Sequence, residues 1–218
     1  MLEYELSKRL VFNKILSALG GRMRFAISGG APLSPKIARF FHAIGLLVCE
    51  GYGLTETTAG ITFNSPLDYR FGSVGKPLAD VKLRLAGDGE ILVQSDKVMA
   101  EYHNNEAATR EAIVDGYFHT GDIGHIDADG FLFITDRKKD LIKTAGGKYV
   151  APQKLENLLK LSPYISNVLI HGDQKKYIVA LITLQPQYKD RVKDHKMYSL
   201  IKDVVAEVNT QLASHESI

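Results

Sequence analysis

At 218 residues and 45% hydrophobic content, the chain can fill one good core and about half of a second. Its 27 basic and 25 acidic residues are mixed along the chain and leave a formal charge of +2, which argues against a nucleic-acid surface and leaves any small anion to be held by a local arrangement. The one cysteine, Cys49, reads as core and excludes an internal disulfide; with no stretch near the roughly 20 apolar residues of a bilayer span, the chain reads as cytoplasmic, peripheral contact at the inner membrane face staying open.

Leu2, Leu6, Leu10, Ile15 and Leu19 recur among Lys8, Arg9 and Lys14, which predicts an amphipathic helix over residues 1–19 that stops at Gly20 and Gly21. "MRFAISGGAPLSPKIARFFHAIG" then reads as a strand, a glycine turn and a helix capped by Ser34, opened by Pro35 and burying Ile37, Phe40, Phe41 and Ile44. "LLVCE" follows as a second strand, so this region is a strand, helix, strand unit of a parallel sheet, with "SGGA" and "GYGLTE" at the strand ends where such sheets bind ligands.

From about residue 69 the pattern changes to short strands with close turns, as in "VKLRLAGDGEILVQS" and "IGHIDADGFLFITD", which predicts a small antiparallel, barrel-like sheet. Pro152 opens a helix carrying Leu155, Leu158, Leu159 and Leu161, followed by the strands "YISNVLI" and "KYIVALITL". The tail is expected to be helical from Val192, with Val204, Val205, Val208 and Leu212 in register, and "ASHESI" offers no closing element. The expected class is α/β: residues 1–136 form one domain, made of a sheet unit at 22–68 and a β subdomain at 69–136, and residues 137–218 form a smaller α+β domain.

"GYGLTETT" lacks the third glycine of a dinucleotide fingerprint, and no stretch ends a glycine-rich loop in Gly-Lys-Ser or Gly-Lys-Thr. A different geometry is open to it: Gly51 and Gly53 permit close backbone approach, Tyr52 has a flat face for a base, Thr55 can donate to phosphate, and Glu56 can hold Mg²⁺. The same residues also suit a plain glycine turn with a threonine cap. "ISGGAPLS" has the same two readings, a turn before a helix or a backbone flanking a planar ring through Gly29, Gly30 and Ala31. Asp122 in "GYFHTGDIGHID" can accept from both hydroxyls of a ribose or cap a turn. Arg137, Lys138, Lys139, Lys143 and Lys148 surround the flexible "TAGG"; they form either a solvated face or a set of cations for phosphate and carboxylate. The histidines are scattered, "DADG" lacks an acidic position of a calcium loop, and no Gly-x-Ser-x-Gly elbow occurs, which argues against zinc, calcium and a serine nucleophile.

Taken in order, "SGGAPLS", "GYGLTETT", "GYFHTGDIG" and "DRKKDLIKTAGGKYVAPQKLE" closely resemble the adenylate-forming (AMP-binding) acyl-CoA synthetases, most nearly the bacterial long-chain fatty acid–CoA ligases, in one collinear match over residues 22 to 184. The resemblance implies the end of a large adenylate-forming domain followed by part of a mobile C-terminal domain. It also implies ATP, Mg²⁺, a fatty acid and coenzyme A as reactants and AMP as a product. Gly30 and Ala31 would line adenine, Tyr52 would stack on it, Gly53 would border the acyl group, and Thr55 would hold phosphate. Glu56 would bind Mg²⁺, Asp122 and Arg137 the ribose, Lys139 would be the hinge, and Lys143 would approach the phosphate and carboxylate. The family's upstream phosphate loop and late catalytic lysine have no counterpart in these 218 residues, so the chain is expected to be a ligase portion with little activity by itself. A nucleotide-binding module without catalysis, and an aryl or medium-chain carboxylate ligase on the same fold, are the alternatives; no oligomeric state is implied.

Overall fold

The computed structural model describes residues 2–218, with side chains from Tyr4 onward; the Leu2 end of the expected leucine stripe lies outside the described side chains. The chain divides into two compact units, one ending at Ile134 and the other spanning Thr135–Ile218.

The first unit opens with helix α1 (Leu2–Ser7), a π-helical stretch (Lys8–Phe12) and helix α2 (Asn13–Ala18). The helix ends as expected at Gly20 and Gly21, whose φ angles of 91° and 68° suit glycine. Leu6 and Leu10 are exposed, and a π-helical stretch separates Leu6 from Ile15.

Strand β1 (Phe25–Ser28), helix α3 (Pro35–Ala43) and strand β2 (Leu47–Leu54) form the expected parallel unit, in register from Phe25↔Leu47 to Ser28↔Glu50. Ser34 stands at the N-cap but makes no side-chain cap bond; Pro35 sets the first turn, and the Ala38 amide closes it on Ser34 O. Ile37 and Phe40 are exposed, against expectation. A nine-residue helix resting on one strand covers a narrow stripe, and that stripe runs through buried Ala38 and part-buried Phe41 to Ile44.

Strand β2 continues past Glu50 through "GYGL" and pairs antiparallel with β3 (Ala59–Phe63), which pairs with β4 (Lys76–Pro77). The glycine segment expected as a loop is therefore strand, and the sheet, ordered β1-β2-β3-β4, is parallel only between β1 and β2. The two glycines are required by that pairing: a Cβ on Gly53 would stand 1.6 Å from Ala59 O, and one on Gly51 2.6 Å from Phe63 Cδ2.

The antiparallel sheet predicted after residue 69 is present as β5 (Lys82–Leu85), β6 (Glu90–Gln94), β7 (Ile113–Val114), β8 (Tyr117–Ile126) and β9 (Leu132–Arg137), ordered β5-β6-β8-β7 with β9 against β8. Helix α4 (Glu106–Ala112), which no strand pattern foretold, sits among them, its start capped by Asn105 Oδ1 accepting from the Ala108 amide. Gly89 (φ 86°) donates to Ala86 O in the Gly-Asp-Gly turn. Asp127 Oδ1 accepts from the Asp129 and Phe131 amides, which makes "DADG" a hairpin turn. The sheets are stitched where Val74 donates to Leu132 O and Leu132 to Gly75 O, both at 2.9 Å, over a core of Tyr52, Ile61, Val81, Ile91, Val93 and Leu132.

In the second unit, β10 (Ile142–Lys143) and β11 (Tyr149–Val150) flank the "TAGG" turn, helix α5 (Pro152–Leu159) buries Leu155 and Leu159, and β12 (Ile165–His171) pairs antiparallel with β13 (Val179–Leu184). Helix α6 (His195–Asn209) begins beyond the expected Val192, because Asp194 caps it by accepting from the Lys196 amide. The tail is closed, contrary to the sequence expectation. Asn209 donates to Ile218 O and accepts from its amide, each at 2.9 Å, Lys154 Nζ meets Glu216 at 2.8 Å, and Ile218 packs on the core around Leu155, Leu159 and Val208. These contacts join residues too far apart for local periodicity to register.

Candidate functional site

The site builds from the carboxyl ends of β1 and β2. Beyond Ser28 the chain turns through Gly29, where a Cβ would lie 3.2 Å from Gly51 O, so the two glycine segments meet backbone to backbone. Gly30 (φ 79°) and Ala31 are exposed on this turn. Glu50, buried at the end of the apolar run, accepts from the Leu33 amide at 3.3 Å and from the Gly72 backbone, so one carboxylate holds the glycine turn against its neighbour. Sequence reasoning gave Glu50 no role; the signal was an acid closing "LLVCE".

Burial pushes the Glu50 carboxyl above its ordinary value near 4.5, the two backbone bonds pulling the other way. A raised folded value makes its stability contribution full at acid pH and lost as pH rises through that value. The stability of the protein relative to Glu50→Gln is therefore expected to fall as pH rises from 4.5. Urea unfolding across a pH series checks this, and a difference that is flat or grows with pH would refute it.

Tyr52 follows on β2 between glycines that face the other way, because side chains alternate along a strand. Its ring packs in the core at 9% exposure. Its hydroxyl donates to Asp122 Oδ2 at 2.5 Å, across 70 positions of sequence.

Asp122, 4% exposed, lies where the pairing of β8 with β6 shifts register between Glu90 and Leu92. Gly121 (φ 70°) donates to Glu90 Oε1 at 3.0 Å, His119 Nδ1 lies 3.2 Å from Glu90 Oε2, and the Asp122 amide donates to Thr120 Oγ1, itself bonded to Ile91 O. Buried Glu90 is a second residue that sequence reasoning missed; an acid directly after the Gly-Asp-Gly turn, on a strand otherwise apolar, was its trace.

Thr55 is exposed and Glu56 half-buried on the 3₁₀ turn Thr55–Thr57. Thr57, fully buried, locks the turn through its hydroxyl, accepting from the Leu54 amide at 2.9 Å. Thr58 and Ala59 follow with φ of 50° and 73°, a left-handed pair without glycine that the surrounding bonds must hold. Glu56 O accepts from the Met99 amide at 2.7 Å, and Glu56 Oε1 accepts from Tyr102 Oη at 2.9 Å. Burial, then the Glu56 carboxylate, push the Tyr102 phenol up, so it stays a donor at neutral pH. Among the described residues no group of three or more acidic, histidine or cysteine side chains surrounds a metal position. A lone hard carboxylate such as Glu56 fits Mg²⁺ that takes its other ligands from phosphate and water.

Arg137, Lys139 and Lys143 belong to the second unit. Arg137 ends β9, its side chain exposed and its amide donating to buried Asp136 at 2.7 Å; Asp136 also accepts from the Gln153 amide at the start of α5. Lys139 is exposed in the turn closed by the Asp140 and Leu141 amides on Arg137 O. Lys143, exposed on β10, carries its ammonium 5.8 Å from the centre of the Tyr149 ring.

Residues 4–103 match the family model described as AMP-binding enzyme, and residues 139–218 the model described as AMP-binding enzyme C-terminal domain. The chain belongs to the AMP-binding acyl-CoA synthetase superfamily, and the expected α/β class holds with it. It is 50% identical over 179 residues to the long-chain-fatty-acid–CoA ligase FadD15 of Mycobacterium tuberculosis, covering 82% of this chain and 30% of that protein. It is 42% identical over 192 residues to long-chain-fatty-acid–CoA ligase 6 of Rattus norvegicus, covering 82% of this chain and 28% of that one. The solved o-succinylbenzoate coenzyme A synthetase of Bacillus subtilis, in complex with AMP, superposes with a TM-score of 0.75 at 28% identity over 94% of this chain and 44% of that one. The chain thus spans less than half the length of these relatives. Among the described residues no helix is long and apolar enough to cross a membrane.

Proposed function

We propose that the chain carries much of the nucleotide site of an ATP-dependent ligase that activates a long-chain fatty acid as its acyl-adenylate and passes the acyl group to coenzyme A. The observation that supports this most is the meeting of "SGGA" and "GYG" at the carboxyl ends of the parallel pair β1–β2, where α/β sheets receive ligands. The long-chain class is supported by the 50% identity to the mycobacterial ligase. The cytoplasm, with peripheral contact at the inner membrane face, is the location this reading assigns.

In the first step the fatty carboxylate oxygen bonds to the α-phosphorus of ATP, and the bond to the bridging oxygen breaks, releasing pyrophosphate with its electron pair. In the second, the thiolate of coenzyme A attacks the acyl carbon and AMP leaves. Mg²⁺, which Glu56 would hold, would offset the negative charge that gathers on the phosphates. The backbone at Gly30 and Ala31 flanks the adenine, with Tyr52 at its face and Gly53 bordering the first acyl carbons. Asp122 and Arg137 accept from and donate to the ribose, Thr55 donates to a phosphate oxygen, and Glu56 holds the metal. Lys143 is assigned to the phosphate and carboxylate, and Lys139 to the hinge about which residues 137–218 swing between the two steps, since each half-reaction needs a different face at one centre.

Isothermal titration of AMP into the 218-residue protein tests the site without requiring turnover. Micromolar binding is the expected result, together with pyrophosphate exchange far below that of a full-length ligase. Absence of binding at millimolar AMP would overturn the reading.

A further inference from the structure

We infer that Tyr102 is a positioning residue for the magnesium-binding carboxylate, an inference that rests on the reading of Glu56 as that carboxylate. Residues 97–102 run beside the Glu56 turn as a brace with three ties. Thr58 Oγ1 donates to Lys97 O at 2.8 Å, the Met99 amide donates to Glu56 O at 2.7 Å, and Tyr102 Oη donates to Glu56 Oε1 at 2.9 Å. The first two hold the backbone of a turn that leads into the left-handed pair Thr58 and Ala59; only the third touches the carboxylate.

Tyr102 is itself fixed. Its amide donates to Thr109 Oγ1 at 2.9 Å and its carbonyl accepts from the Asn105 amide at 3.1 Å, so the cap of α4 anchors the phenol. Its hydroxyl takes Oε1, while Oε2 accepts no hydrogen bond among the described residues. A fixed phenol on one oxygen selects a single orientation of the carboxylate and leaves the other oxygen for a hard cation, the way outer partners orient metal ligands elsewhere. Tyr102 lies 46 residues from Glu56 in sequence, and the ties of residues 97–102 to the Glu56 turn are what join them.

The test is calorimetric titration of ATP in the presence of Mg²⁺ and in the presence of EDTA, with AMP as a parallel ligand, for the wild type, Tyr102→Phe, Glu56→Gln and the double variant. Wild type is expected to bind ATP more tightly with Mg²⁺. Tyr102→Phe should reduce that enhancement about tenfold while leaving AMP affinity intact. Glu56→Gln should abolish it, and the double variant should be no worse than Glu56→Gln alone, as expected of two residues acting through one ligand. A wild-type enhancement in Tyr102→Phe beside a defective Glu56→Gln overturns the role of Tyr102 alone. An equal loss of AMP binding in Tyr102→Phe also overturns it, leaving a plain strut. An unaffected Glu56→Gln, or a wild type without Mg²⁺ enhancement, overturns the metal role of Glu56 and the inference with it.

Discussion

Gly53→Ala is expected to abolish cooperative folding of the first unit, or to lower its stability by more than about 3 kcal/mol, the upper end of ordinary overpacking costs. The added Cβ would stand 1.6 Å from Ala59 O and 2.5 Å from the Ala59 carbonyl carbon, and neither atom belongs to a side chain that can rotate away. Relief requires β2 and β3 to separate where Gly53 faces Gly60, and that separation would carry Tyr52 off Asp122. Gly60→Ala, in the facing strand, is the control. A Cβ there meets nothing within 4 Å, so the change is expected to be neutral or to stabilise by about 0.4–1 kcal/mol through the unfolded chain. Urea unfolding of the two variants, followed by tyrosine fluorescence, checks the contrast; equal stability of both would show that the β2–β3 pairing is not as tight as described.

Asp122→Ala is expected to weaken AMP binding by about tenfold to a hundredfold, the value of charged hydrogen bonds to a ribose at about 1.5–3 kcal/mol. The carboxylate is buried and aimed by Gly121, Glu90 and Thr120, so its loss removes a preorganised acceptor. Because Tyr52 donates to the same group, Tyr52→Phe separates packing from recognition. That variant keeps the ring and the carboxylate, and its AMP affinity is expected to stay within about threefold of wild type, a change of under 1 kcal/mol. Calorimetric titration of AMP into both variants, with unfolding curves to confirm an intact fold, decides the matter. An Asp122→Ala protein that binds AMP as well as wild type removes Asp122 from the ribose.

Much of this was legible along the chain because the physics behind it is local. Two glycines after a leucine-rich run stop a helix, Pro35 and Pro152 open helices, and Asp-Gly closes a hairpin. Each of those signals acts within a few residues, as do the motifs that carry the family likeness. The same locality explains where reading failed. "GYGL" has loop composition, yet it is strand, since only the approach of β3 reveals that glycine is the one residue that fits. Ile37 and Phe40 have the period of a buried face, but burial depends on what lies opposite, and α3 rests on β2 along a narrower stripe.

The sequence by itself determined the parallel strand, helix, strand unit, the helices opened by Pro35 and Pro152 and the identity of the motif residues, because propensity, capping and periodicity act over one or two turns of chain. Only the tertiary structure decided which of those residues meet. It put Tyr52 on Asp122 across 70 positions and Tyr102 on Glu56 across 46, and it gave Glu50 and Glu90 their backbone partners in the site. The reason is that a carboxylate's partner is set by sheet register and loop closure, which depend on the whole fold and leave no trace in the residues beside it.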